Sequence, residues 1–245
     1  MDNNLKIIIN LFTQLLVDDV DLTLEDLKNL EKMIEIMYDD NLTDEEKRKF
    51  DDVAEIMNRS YSEKMKILIE NTVLKNVLDY NIKTIEIPKY ITRIDKLAFS
   101  NCTELISVEI PYGVTNIGVG AFWRCSELKS VKIPDSVNNI EPSAFKYCSN
   151  LLSIIIPKSV KVITFDVFKD CHSLSSVTLH DNITSIENKA FENCRSLKSI
   201  YIPKSVTNIR DYAFINCSSF RIYINTKKCY NFSLCFFWLF TFNLC

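Results

Sequence analysis

Six cysteines, Cys102, Cys125, Cys148, Cys171, Cys194 and Cys217, recur every 23 residues without a slip. Phenylalanines keep the same beat three residues earlier, at Phe99, Phe122, Phe145, Phe168, Phe191 and Phe214, and prolines fall at Pro88, Pro111, Pro134, Pro157 and Pro203. A fixed period of this length predicts a solenoid, whose units bury their apolar faces only against neighbouring units. The third copy shows how one unit is built. Val131 and Ile133 alternate as in a short strand, and Pro134 ends it because proline cannot donate to a ladder. Val137 and Ile140 return to the core, Ala144-Phe145 and Cys148 follow at helical spacing, and Leu151 closes the turn. Parallel strands from successive copies would stack ~4.8 Å apart, and each Phe would lie on the next.

Charge divides the chain in two. Residues 1–79 carry 19 acidic and 10 basic side chains, whereas residues 80–245 carry 13 acidic and 19 basic. The opposite signs support two separate units and permit them to attract each other. With 47% hydrophobic residues, the composition is that of a folded chain, and only three glycines argue against phosphate-cradling loops.

Residues 1–79 read as an acidic region of about four helices. Leu5, Ile8, Ile9, Phe12, Leu15 and Leu16 follow helical spacing, and Leu24, Leu27, Leu30, Ile34 and Met37 do so again after the cap Thr23. Thr43-Asp-Glu-Glu46 forms a capping box ahead of Phe50, Val53 and Ile56. Ser60-Tyr-Ser-Glu63 opens a predicted fourth helix through Met65, Leu68, Ile69, Val73 and Val77. Such a region either caps the solenoid or acts as an independent interaction module.

The repeat resembles a known family. Ile110-Pro111-Tyr-Gly-Val114-Thr-Asn-Ile117-Gly-Val-Gly-Ala121-Phe122-Trp-Arg-Cys125-Ser-Glu-Leu128 is similar to the BspA-like leucine-rich repeat, the Treponema pallidum class of that superfamily. The resemblance covers residues 82–220, with His180 in a proline slot and Val167 in an alanine slot. It implies an α+β repeat protein, a curved solenoid of 23-residue units with a parallel sheet on its concave face, here preceded by the small all-α region. It also implies a binding protein. Many members sit on the surfaces of bacteria and anaerobic protists, where some adhere to host proteins.

The expected domains are 1–79, the solenoid 80–224 with a seventh strand at Ile222-x-Ile224, and a degenerate apolar end, 225–245. Phe232–Cys245 has 11 apolar residues in 14. Three readings stay open for it: a hydrophobic cap, a membrane-associating tail, or a frameshifted end. It is the only segment through which membrane contact is expected, and it falls short of the ~20 residues a spanning helix needs.

No chemistry emerges from the motifs. His172 and His180 stand alone, no nucleophile elbow, zinc-binding His pair or phosphate loop occurs, and the cysteines lack Cys-x-x-Cys spacing. The expectation is a non-enzyme with no cofactor, metal or small-molecule substrate. Nucleic acid is disfavoured because basic charges alternate rather than cluster. Reduced, core-packing cysteines and a start without signal-peptide character predict a cytoplasmic protein, with surface display by a non-standard route as the alternative.

The expected partner is another protein, and the candidate surface is the outward positions of the strands. One column reads Glu86, Glu109, Lys132, Ile155, Thr178, Tyr201 and Tyr223; its neighbour runs from Thr84 through serines at 107, 130, 153, 176 and 199 to Arg221. The first changes from charged to apolar and aromatic, the kind of anchor protein interfaces favour. Function is accordingly expected to be that of a protein-binding scaffold. The alternatives are an adhesin, or an effector whose helical N-terminus signals while the repeats sense a ligand.

Overall fold

A computed structural model describes residues 67–70, 72–217 and 221–224. The predicted helices over residues 1–66 and the apolar end 225–245 lie outside the described residues.

The chain enters as a hairpin. β1 (Ile67–Glu70) and β2 (Val73–Val77) pair antiparallel, with Ile67 opposite Val77 and a bulge between Leu68 and Ile69. This corrects the fourth helix expected through Leu68, Ile69, Val73 and Val77. The same apolar spacing suits either state, and the β-branched Ile67, Ile69, Val73 and Val77 favour a strand that can join the parallel array. Each copy then supplies two short strands: β3 (Thr84–Glu86) and β4 (Arg93–Ile94), β5 (Ser107–Glu109) and β6 (Asn116–Ile117), β7 (Ser130–Lys132) and β8 (Asn139–Ile140), β9 (Ser153–Ile155) and β10 (Val162–Ile163), β11 (Ser176–Thr178) and β12 (Ser185–Ile186), β13 (Ser199–Ile202) and β14 (Asn208–Ile209). β15 (Arg221–Ile224) is the seventh strand.

Two parallel ladders result, where one sheet was expected. The first holds β3-β5-β7, β9-β11 and β13-β15; the second holds β4-β6-β8 and β10-β12-β14, with β2 parallel to β4 and β1 at its edge. Thr84 pairs Ser107 and Ser107 pairs Ser130, one full repeat apart each time. The last step is one residue shorter, because Ser199 pairs Arg221.

The core runs between the ladders and the turns. All six beat cysteines and all six beat phenylalanines are buried, along with Leu105, Leu128, Leu151, Leu174 and Leu197. The rings stack in one column, from 4.8 Å between Phe99 and Phe122 to 5.7 Å between Phe145 and Phe168, with planes within 17° of parallel.

No α-helix occurs among the described residues, so the α+β expectation is corrected to an all-β solenoid there. The Ala-Phe-x-x-Cys segment is a run of tight turns. In the third copy the amides of Ala144 and Lys146 bond back to Glu141 and Ser143, while those of Ser143, Phe145 and Tyr147 cross to Phe165, Val167 and Lys169 of the next copy. Alternate amides thus leave the segment, and none remains to build an i to i−4 helix. φ is positive at Ser143 (59°) and Tyr147 (64°), and again at the same positions of the next copy, Asp166 (55°) and Asp170 (61°). Side chains other than glycine tolerate this conformation poorly, so the inter-repeat hydrogen bonds must hold it.

Candidate binding face

In the first ladder the middle residue of each strand points into the core and its two neighbours point out, which is the period-two rule of a pleated strand. Val108, Ile154, Val177 and Ile200 are buried, whereas Thr84, Glu86, Glu109, Ser130, Lys132, Ser153, Ile155, Ser176, Thr178, Ser199 and Tyr201 are exposed. The candidate residues Glu86, Glu109, Lys132, Ile155, Thr178 and Tyr201 therefore share one open face, the face expected to be concave. Backbone pairing sets Tyr223 beside Tyr201 and Arg221 beside Ser199. The side chains of Tyr223 and Arg221 lie outside the described residues.

The two halves of this face differ. Glu109 and Lys132 are Cα partners and their side chains form an ion pair. Both are well exposed, so the pair adds little to stability, and its two charges offset each other while Glu86 stands next to them in the column. Further along, Ile155 pairs Thr178 with Ser153 and Ser176 beside them. Ile155 is 64% exposed and Tyr201 49% exposed, and both are large apolar groups on the surface. Within the described strands of the first ladder, Ile155 and Tyr201 are the exposed large apolar side chains, beside a column of serines.

Polar chemistry elsewhere is structural. The Cys125 Sγ donates to the Phe99 carbonyl at 3.1 Å, and Cys148, Cys171, Cys194 and Cys217 repeat the contact with Phe122, Phe145, Phe168 and Phe191. Burial pushes every one of these thiols up. Cys102, also near Asp79, and Cys217 reach about 12, far from a reactive thiolate. All six cysteines are free, and no cluster of potential metal ligands occurs among the described residues. His172 is half-buried with Nδ1 3.0 Å from the Asn193 carbonyl oxygen, and His180 sits partly buried at its proline slot.

Several charged groups on the turns are paired across copies. Lys146 reaches the buried Asp166 at 2.6 Å, and Lys169 reaches Glu192 at 2.9 Å. Burial works to lower the Lys169 pKa, but Glu192, Asp166 and Asp170 outweigh it and the amine is held above its ordinary value. Asp95 also feels an upward push from burial, yet the Lys96 amide, Lys75 and Arg93 hold its carboxyl low. Asp170, Asn193 and Asn216 form a side-chain ladder at 2.6 and 2.9 Å.

Two exposed surfaces were missed in the sequence. One is the outward edge of the second ladder, where the Asn139 Nδ2 donates to the Asn116 Oδ1 at 2.8 Å. The other lies on the turns, where Leu97, Val119, Tyr147 and Phe165 are exposed around Trp123 and Arg124. Their signal was available in the sequence as apolar and aromatic residues at non-core positions of the 23-residue unit.

The BspA type leucine rich repeat region matches this chain in six copies across residues 69–179 and 161–241. The chain belongs to that family. Its solenoids are generally non-enzymatic scaffolds, typical of protein-binding or adhesin-like proteins. Among solved structures, it is similar to a leucine rich cell surface protein from Faecalibacterium prausnitzii A2-165, with 35% identity and a TM-score of 0.58, over 63% of this chain and 43% of that one. The T. pallidum leucine rich repeat protein is 30% identical with a TM-score of 0.59, over 62% of this chain and 72% of that one. A leucine-rich repeat protein from Eubacterium ventriosum ATCC 27560 is 26% identical with a TM-score of 0.51, over 66% and 52%. The matched region thus spans under half of the Faecalibacterium protein and about half of the Eubacterium one. No curated protein matches the sequence.

Proposed function

We propose that this chain is a non-enzymatic scaffold that binds a protein partner through the open face of the first ladder, in the half bearing Ile155, Thr178 and Tyr201. The observation that carries the reading is the exposure of Ile155 and Tyr201 on a face whose other described positions are Thr84, Glu86, Thr178, the serine column and the Glu109–Lys132 pair. Large apolar and aromatic groups held on rigid strands lose little conformational entropy on binding, and such groups dominate interface energetics. Replacing Ile155, Tyr201 and Tyr223 with serine in the full chain tests it. Thermal unfolding should be little changed, and proteins captured by the wild type from the native source should be lost. Equal capture by the variant would overturn the reading.

Where the binding takes place is a separate proposal. Six buried, free thiols suit a reducing interior, which favours the cytoplasm. Surface display is the second reading, prompted by the likeness to the Faecalibacterium cell surface protein. Labelling intact cells of the source with an impermeant amine reagent distinguishes them, since only a displayed chain is modified.

A further inference from the structure

A second surface, on the turns rather than the strands, carries an inference independent of the proposed binding face. Leu97 is 51% exposed and Phe165 45%, with Val119 and Tyr147 exposed between them. The backbone places them along successive copies: the Leu97 amide bonds the Val119 carbonyl, and the Ser143 amide bonds the Phe165 carbonyl. A Cβ added to Gly120 would lie 2.9 Å from the Leu97 Cδ2 and 3.5 Å from the Trp123 Cβ, so these two side chains flank the glycine. Trp123 meets Tyr147 edge-on at 6.1 Å, and the Arg124 guanidinium carbon lies 4.4 Å from the Trp123 ring centre and 5.8 Å from that of Tyr147. Tryptophan, tyrosine and arginine are the residues that concentrate binding energy in interfaces.

The charges around this patch are uneven. The carboxylates of Asp95, Glu141 and Asp166 are each engaged by a cation, through Lys75, Arg93 and Lys146. Arg124 and Lys96 make no ion pair among the described residues. The patch is apolar and the one charged side chain within it, Arg124, is basic, so it fits an acidic amphipathic segment.

Such a segment belongs to this chain. Residues 1–66 hold 17 acidic and 9 basic side chains, with apolar stripes at Leu24, Leu27, Leu30 and Ile34 that predict amphipathic helices. They join the described fold at Ile67, which pairs with Val77. The Val77 amide in turn donates to the Ala98 carbonyl at 2.8 Å, one residue from Leu97. Ile67, the first described residue, thus lies one strand beyond Val77, at the Leu97 end of the patch. The patch extends over only about three repeat spacings of ~5 Å, well within reach of a chain of that length. We propose that residues 1–66 dock on their own solenoid across Leu97, Val119, Trp123, Arg124, Tyr147 and Phe165.

The test uses hydrogen exchange on the full chain, comparing wild type with Trp123→Ser/Arg124→Asn. That pair gives the second copy the Ser100-Asn101 sequence found at the same positions of the first, and asparagine suits the positive φ of Arg124. Peptides within 1–66 should exchange at least about tenfold faster in the variant, at every protein concentration, while residues 130–217 stay unchanged. Equal exchange of 1–66 in both proteins overturns the proposal. So does protection of 1–66 that disappears on dilution, which would assign the patch to the N-terminus of a second copy. If 130–217 also loosens in the double variant, Arg124→Asn alone decides by the same criterion.

Discussion

The thiol of Cys148 donates to the backbone carbonyl of Phe122, one repeat and three residues earlier, at 3.1 Å. That carbonyl also accepts the Cys125 amide at 3.2 Å, so one acceptor ties the turn of its own copy to the core of the next. The beat cysteine is therefore a packing residue and an inter-repeat donor together, which serine or alanine would not reproduce at the same volume. Cys148→Ala removes the donor and leaves a small void in a column with no slack. A loss of about 1–2 kcal/mol is expected in urea unfolding monitored by far-UV circular dichroism. An unchanged midpoint would mean that the thiol contact contributes nothing.

The same burial makes stability depend on alkaline pH. Burial raises the folded-state thiols above their ordinary value near 9, with Cys102 and Cys217 at about 12 and the others raised too. The folded chain holds these protons where the unfolded chain releases them, so stability is fully present below pH 9 and falls as pH rises from there toward 12. Each thiol contributes a slope of up to about 1.4 kcal/mol per pH unit in that window. Thermal unfolding at pH 8, 9, 10 and 11 should show a midpoint steady between the first two and falling steeply after. Thiol reagents at pH 8 should label the six beat cysteines only on unfolding.

Much of this fold was legible because each core position recurs with one residue type. The phenylalanine, cysteine and proline beats located the strands ending before Pro111, Pro134 and Pro157, and they placed Glu109, Lys132 and Ile155 on one face. The second ladder was not legible. Its strands, such as Asn116–Ile117, are two residues long, too short for any alternation to show. The turns misled for a different reason. Ala144, Phe145 and Cys148 are spaced as on a helix, but the hydrogen bonds of that segment go to the next copy, and a single unit read alone carries no sign of its neighbour. At Leu68, Ile69, Val73 and Val77 the apolar spacing fitted helix and hairpin alike, and the ladder waiting at Arg93–Ile94 decided the outcome. The Glu109–Lys132 pair followed once the register was known, whereas the Trp123–Arg124–Tyr147 cluster depended on side-chain directions that positive φ sets.

Phe145 tests how far stacking carries stability. Its ring lies between Phe122 at 5.1 Å and Phe168 at 5.7 Å, and all three are buried. Phe145→Ala should cost about 3–5 kcal/mol, because both neighbours lose a face and the flanking copies cannot close without breaking the inter-repeat amides of Ser143 and Tyr147. Because units touch only their neighbours, hydrogen exchange should rise most in the copies on either side of residue 145 and least at the distant ends of the array. Uniform loosening would instead indicate that the solenoid unfolds as one cooperative block.

Asp166 is the buried charge on which the turn layer depends. It sits in the left-handed conformation at φ 55°, its Oδ2 takes the Lys146 amine at 2.6 Å, and its Oδ1 is buried with no hydrogen-bond partner. Lys146 is itself largely buried, so neither charge is well solvated. Removing one partner strands the other in a medium that solvates it poorly. Lys146→Met keeps the aliphatic stem and should cost about 3–5 kcal/mol at neutral pH. Adding Asp166→Asn removes the stranded charge, and asparagine tolerates this backbone conformation. The double variant should therefore recover most of the loss and lie within about 1 kcal/mol of the wild type. A double-mutant cycle in urea supplies the coupling energy. If Lys146→Met alone leaves the midpoint unchanged, the carboxylate is reached by water and the pair stabilises nothing. If the double variant is as unstable as the single one, the defect lies in lost packing of the lysine stem and not in the uncompensated charge.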